Sequence, residues 1–110
     1  MKKIVFVCLG NICRSPMAEF VMKSLTDQLK IESRATSSWE HGNPIHRGTQ
    51  AIFKKYAIAY DRNKTSQQIS AADFADFDYV IGMDESNVRD LKRMAPEDFQ
   101  HKIYQFEEES

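Results

Sequence analysis

Lys3–Val7 is a short run of β-branched and aromatic residues in which apolar side chains follow one another without alternation. Such a run predicts a central strand covered on both faces. Leu9–Arg14 is too irregular to continue it, and Gly10-Asn11 is a turn signal. Ser15-Pro16 predicts a helix start, with a capping hydroxyl followed by a proline whose missing N–H costs nothing there. Ala18, Val21, Met22, Leu25 and Leu29 recur at helical spacing and predict one apolar stripe through about Lys30.

The pattern then alternates. Ile31–Thr36 reads as a second strand and Ser37–Asn43 as a loop carrying Trp39. Pro44 to about Tyr56 predicts a helix with Ile45, Thr49, Ile52 and Tyr56 on its inner side. Asp61–Gln68 is polar and reads as a loop. Ser70 followed by Asp73 resembles a capping box for a short helix, Ala71–Phe77. Tyr79–Met83 predicts a third strand. Asp84-Glu85-Ser86 opens a further helix that turns Val88, Leu91 and Ala95 inward and stops at Pro96. Lys102–Phe106 predicts a fourth strand, followed by the solvated acidic end Glu107–Glu109. Alternating strands and helices imply parallel strands with right-handed crossovers, hence an α/β three-layer sandwich.

Composition narrows the reading. The 110 residues are 42% hydrophobic and 28% charged, which suits one domain, 1–110, with one core. No apolar run approaches the roughly 18 residues that a bilayer span requires, so no membrane partner is expected. The apolar start is too short for a signal peptide and reads as a buried strand. A formal net charge of -1 offers no general basic surface for nucleic acid. Two cysteines, Cys8 and Cys13, make no disulfide scaffold at this length, and the expected compartment is the reducing cytoplasm. His41, His46 and His101 share no metal-site spacing, so neither a metal nor a cofactor is expected.

The candidate chemistry lies in Cys8-Leu9-Gly10-Asn11-Ile12-Cys13-Arg14-Ser15. In open α/β sheets ligands bind beyond the carboxyl ends of strands, and this segment joins the first strand to the first helix. A loop entering a helix N-terminus can aim several backbone N–H groups at one point, where the helix dipole adds positive potential. Gly10 permits a tight turn, and Asn11 tolerates a left-handed conformation. Such a nest suits a tetrahedral oxyanion, and Arg14 can bind two of its oxygens with a forked pair of hydrogen bonds. The same donors favour a Cys8 thiolate. Ser15 can give the sulfur a further hydrogen bond. The chemistry implied is double displacement: Cys8 attacks phosphorus, Arg14 and the amides hold the developing charge, and water cleaves the phosphocysteine. A cysteine behind a buried strand also serves as a plain small hydrophobe, and a bare Cys-x5-Arg match is cheap. The flanking strand and Ser-Pro helix start make this match specific.

The loop with Pro16 and Met17-Ala18-Glu19 resembles the phosphate-binding loop of the low-molecular-weight protein tyrosine phosphatases. Ala35-Thr36-Ser37-Ser38-Trp39-Glu40, Gly42-Asn43-Pro44, Phe77-Asp78-Tyr79 and Met83-Asp84-Glu85-Ser86-Asn87 are similar to that family too. The resemblance implies a four-stranded parallel sheet of order 2-1-3-4 with helices on both faces. It implies Cys8 as nucleophile, Arg14 as phosphate binder and Ser15 as support for the thiolate. It also implies that Leu9 to Ser15 cradle phosphate and that Asn11, with Ser33 nearby, shapes the loop. By the same resemblance Cys13 forms a protective reversible disulfide with Cys8, the alternative being a small filler under the loop. Trp39 corresponds to an aromatic rim of the substrate cleft, the alternative being packing against the second helix. The implied partners are a phosphotyrosine protein or small aryl phosphate, with inorganic phosphate as product.

The family's general acid, an aspartate followed by proline after the fourth strand, has no counterpart in these residues, nor has its last helix. The expectation is a shortened chain that binds phosphate and turns over poorly, since general acid assistance is worth about 10²–10⁴-fold. Self-association through uncovered apolar surface is expected with it. Thioredoxin-coupled arsenate reductases resemble a design needing two cysteines downstream, which are missing. Protein-arginine phosphatases carry a small polar residue where this chain has Ile12, and an apolar Ile12 favours a phenyl ring. A non-catalytic oxyanion-binding or partner-binding module and an inert structural domain are the remaining alternatives.

Overall fold

The computed structural model describes residues 1–107. Four parallel strands, β1 (Lys2–Cys8), β2 (Leu29–Ala35), β3 (Tyr79–Gly82) and β4 (Ile103–Gln105), form one sheet in the order β2-β1-β3-β4. This is the order that the family resemblance implies. β1 is central and pairs with β2 from Lys2 opposite Leu29 to Cys8 opposite Ala35, and with β3 from Ile4 opposite Tyr79 to Val7 opposite Gly82. Burial on both sides accounts for its unbroken apolar run, since Val5, Phe6, Val7 and Cys8 are all buried.

The helices are α1 (Arg14–Leu25), α2 (Arg47–Lys55), α3 (Ala71–Asp76) and α4 (Glu85–Met94), with a 3-10 segment, Glu97–Lys102, leading into β4. Val5 and Val7 of β1 join Ile69, Phe74, Phe77, Val80 and Leu91 in one core cluster, so α3 and α4 cover that face. Phe20 of α1 packs with Ile45 and Phe53 in a second cluster, bordered by Met17, Ile58 and Tyr60. The expected capping box of Ser70 with Asp73 forms on α3, and Asp84 with Asn87 makes a second on α4.

Two helices depart from the sequence pattern. α1 starts at Arg14 with Cys13 at its cap position and no side-chain cap, and it ends at Leu25. Ser15 is therefore inside the first turn, and its hydroxyl is used elsewhere. Its buried residues are Ser15, Pro16, Glu19 and Phe20, while Leu25 is exposed. The expected stripe fails because this helix rests partly on a polar seam over β2. The second helix starts three residues later than its proline suggests, with the His46 side chain accepting the Gly48 N–H. Pro44 instead bridges to Thr65. Thr49 and Phe53 face inward, Ile45 is buried ahead of the helix, and Ile52 and Tyr56 are exposed. Among the described residues no helix is long and apolar enough to cross a membrane. Glu107 is exposed, and Glu108 and Glu109 lie outside the described residues.

Candidate active site

Cys8 ends β1 at the carboxyl edge of the sheet, and α1 begins six residues later. The intervening loop is fixed largely through its carbonyls. The Cys8 carbonyl accepts from Thr36 N–H at 2.9 Å, and that of Ile12 from His46 N–H at 2.8 Å. The Gly10 carbonyl accepts from Ser66 Oγ at 2.7 Å. The Leu9 carbonyl takes both the backbone N–H and the hydroxyl of Ser37, at 3.2 and 2.8 Å. With its acceptors turned outward, the loop presents its amides on the other side. Among the described residues, the N–H groups of Gly10, Ile12 and Cys13 meet no protein acceptor. The first-turn amides of Arg14 and Ser15 also lack a helical partner by geometry. Unpartnered N–H groups running into a helix N-terminus are a donor set able to hold an anion.

Asn11 shapes the loop. Its φ of 56° is the loop's left-handed residue, whereas Gly10 is not. What restricts Gly10 is space, because a Cβ there would approach Glu40 Cγ to 3.3 Å. Asn11 is 1% exposed. Its Nδ2 donates to Ser15 Oγ and to Ser33 Oγ, each at 2.9 Å, and its Oδ1 accepts the Gln67 N–H at 3.2 Å. Its own N–H points at Cys8 Sγ from 3.3 Å, and Ser15 Oγ lies 3.1 Å from the same sulfur. The Asn11 N–H donates toward this buried sulfur, whereas the Ser15 contact can be donated from either side. A cysteine that only fills space can donate its S–H to Ser15 Oγ but does not call for the Asn11 N–H directed at it.

Arg14 projects from the first turn and is half exposed. Its Nη1 donates to Asp84 Oδ2 at 2.6 Å. Asp84 sits just past β3, the strand next to β1, and caps α4. The Arg14 guanidinium holds the Asp84 carboxyl down to about 2, with help from the Ser86 hydroxyl and the Asn87 backbone N–H. A guanidinium has five N–H donors, so this pairing leaves an edge of the fork for another anion.

Trp39 is 78% exposed. It lines a cleft with Leu9, Thr36, Ser37, Asp90, Arg93 and Met94, which answers the alternative of packing against the second helix. Cys8 and Cys13 are both free thiols, and Cys13 borders a groove of about 550 Å³ with Arg14, Met17, Val21, Met83 and Phe106. Among the described residues no three His, Cys, Asp or Glu side chains form a metal-binding set.

The fold brings Cys8 together with Asn11, Ser15 and Ser33 as the sequence suggested. Sequence reasoning missed Glu19, Ser66, Gln67 and Asp84. Asp84 had a usable signal, an acid at the carboxyl end of the strand adjacent to β1. Ser66 and Gln67 had none, because they reach the loop across 56 residues of chain.

The model of a family described as low molecular weight phosphotyrosine protein phosphatase matches residues 3–108. The chain is 46% identical over 101 residues to the low molecular weight protein-tyrosine-phosphatase PtpA of Staphylococcus epidermidis, covering 87% of this chain and 64% of that protein. It thus spans less than two thirds of the length of that curated relative. Among solved structures it is similar to SP-PTP, a low molecular weight protein tyrosine phosphatase from Streptococcus pyogenes. There the TM-score is 0.95 at 62% identity, with 97% of this chain and 73% of the other covered. It is also similar to DARP, a Drosophila arginine phosphatase, with a TM-score of 0.84 at 36% identity and coverage of 96% and 70%.

Proposed function

Because the chain belongs to the low molecular weight phosphotyrosine protein phosphatase family, we propose that it carries the phosphate-binding and nucleophilic half of a cysteine-dependent phosphatase. The observation that supports this most is the buried Cys8 Sγ with Ser15 Oγ at 3.1 Å and Asn11 N–H at 3.3 Å. In this reading the Cys8 thiolate attacks phosphorus in line with the ester oxygen. An S–P bond forms, the P–O bond breaks, and the alcohol oxygen departs with the electron pair. The loop amides and the free edge of Arg14 hold the equatorial oxygens as charge develops. Water then attacks phosphorus, the S–P bond breaks, inorganic phosphate leaves, and the Ser15 hydroxyl receives the returning thiolate.

The substrate class we favour is phosphotyrosine or an aryl phosphate. Leu9 and exposed Trp39 form an apolar rim beside the loop, and a flat ring can stack there. Phosphoarginine is the competitor, and a guanidinium gains less from an apolar rim. The compartment we assign is the reducing cytoplasm, where both thiols persist.

Hydrolysis of para-nitrophenyl phosphate tests the proposal, because nitrophenolate leaves without a proton donor. Release of nitrophenol that Cys8→Ser and Arg14→Ala abolish supports it. Release unaffected by Cys8→Ser overturns it. Preference for phosphoarginine over phosphotyrosine peptides would overturn the substrate class alone.

A further inference from the structure

Glu19 is a buried carboxylate that the mechanism above does not use. It lies on α1, one turn after Ser15, and is 1% exposed. Its charge is balanced by Lys23, 2.7 Å from Oε2, and by Lys64, 3.5 Å from Oε1. Lys64 reaches in from the loop before α3 and also donates to the Ser33 carbonyl at 3.2 Å. The Ser33 hydroxyl donates to Glu19 Oε1 at 2.5 Å.

That last bond has a direction, and the direction propagates. A carboxylate only accepts hydrogen bonds, so the single proton of Ser33 is committed to Glu19. Ser33 then offers only lone pairs to Asn11, which must turn its amide nitrogen toward it at 2.9 Å. The second hydrogen of that nitrogen goes to Ser15 Oγ at 2.9 Å. The Gln67 N–H on Asn11 Oδ1 fits the same orientation. Ser15, already accepting, has its own proton left to give. The Cys8 sulfur at 3.1 Å is its nearest acceptor, and the Arg34 carbonyl lies farther away at 3.4 Å. The reverse network, with Asn11 flipped and both hydroxyls donating to its Oδ1, would turn the Ser15 proton away from sulfur.

We propose that Glu19, neutralised by Lys64 and Lys23, is a positioning residue that sets the polarity of the Ser33–Asn11–Ser15 relay and so commits the Ser15 proton to the Cys8 thiolate. This deepens the proposed function and rests on Cys8 being the nucleophile. A purely electrostatic role has the opposite sign. A carboxylate behind the loop disfavours a nearby thiolate, so removing it through space alone would make Cys8 more reactive. Loss of the relay makes it less reactive.

The experiment measures the rate of Cys8 alkylation by iodoacetamide at pH 6 and pH 9.5, with the Cys8 and Cys13 peptides resolved by mass spectrometry. The proteins are wild type, Glu19→Gln, Ser33→Ala and the double variant Glu19→Gln/Lys64→Met, which leaves no lone buried ammonium if Glu19→Gln alone folds poorly. The expected result is a three- to tenfold slowing at pH 6 in all three variants, about the net worth of one ordinary hydrogen bond, with rates converging at pH 9.5. A slowing of equal size at both pH values would mark a distorted loop and overturn the proposal. Unchanged or faster alkylation of the Glu19 variants at pH 6 would also overturn it. Wild-type Cys8 reacting no faster than Cys13 at pH 6 would instead sink the nucleophile assignment, and this proposal with it.

Discussion

Replacing Asn11 by alanine removes three side-chain hydrogen bonds at once: two donated to Ser15 and Ser33 and one accepted from Gln67. Two are buried and the third is partly buried, and each is worth about 1 kcal/mol net. Alanine must also hold the φ of 56° that asparagine tolerates, which costs roughly 1 kcal/mol more. Together these place Asn11→Ala about 4 kcal/mol below wild type, against a total of about 5–15 kcal/mol for a typical domain. Asn11→Gly loses the same bonds without the left-handed penalty and should be about 1 kcal/mol more stable than Asn11→Ala. Urea unfolding measures both. With a slope of about 2 kcal/mol/M, the alanine variant's midpoint falls by about 2 M. Protection of Cys8 from alkylation by inorganic phosphate should vanish in parallel. An alanine variant within about 1 kcal/mol of wild type, or a glycine variant no more stable than alanine, would refute the assignment of loop shape to this side chain.

Asp84→Asn keeps a capping oxygen for α4 but removes the charge that pairs with Arg14. The wild-type carboxyl, at about 2 when folded, lies below its ordinary value of about 3.9. Its stabilisation is therefore present above pH 4 and is lost as pH falls toward 2. Because Arg14 and Asp84 are 51% and 40% exposed, that contribution is at most about 1 kcal/mol. Stability measured from pH 5 to pH 2 should fall less steeply in Asp84→Asn, and identical slopes would contradict the pairing. Gly82→Ala tests the seat of α4 on β3: the added Cβ would meet Val88 Cγ2 at 2.9 Å and the Val88 backbone nitrogen at 3.1 Å. A loss of about 1–3 kcal/mol on thermal unfolding is expected, and an unchanged melting temperature would count against that contact.

The parts of this fold that were legible in the sequence obey local rules. β1 showed itself as an unbroken apolar run, the α3 start as a capping box whose partners lie three residues apart, and the α4 start as the Asp84-Glu85-Ser86 opening. The sheet order followed from the resemblance and not from periodicity. α1 was misread because none of its expected stripe residues Ala18, Val21, Met22 and Leu25 is buried, whereas Ser15, Glu19 and Phe20 are. Glu19 and Ser15 are covered by the polar seam over β2, while Leu25 reaches solvent. A pattern of apolar positions cannot reveal a buried face that is held by hydrogen bonds. α2 was misread because Pro44 suits a helix start equally well as the bridge to Thr65 that it makes. At the site, Cys8, Arg14 and Asn11 were readable because strand, turn signal and helix start are contiguous. The clamps from Ser37, His46, Ser66 and Gln67 were not, because each depends on how distant segments come together in the fold.

The claim on which the account depends is that Cys8 takes a phosphoryl group from an ester through its sulfur. Incubation with para-nitrophenyl phosphate, rapid acid quench and peptide mass spectrometry measures this directly. A phosphoryl adduct is expected on the Cys8 peptide, absent from Cys8→Ser and reduced in Arg14→Ala. Nitrophenol release with no adduct on Cys8, persisting at full rate in Cys8→Ser, would contradict the claim.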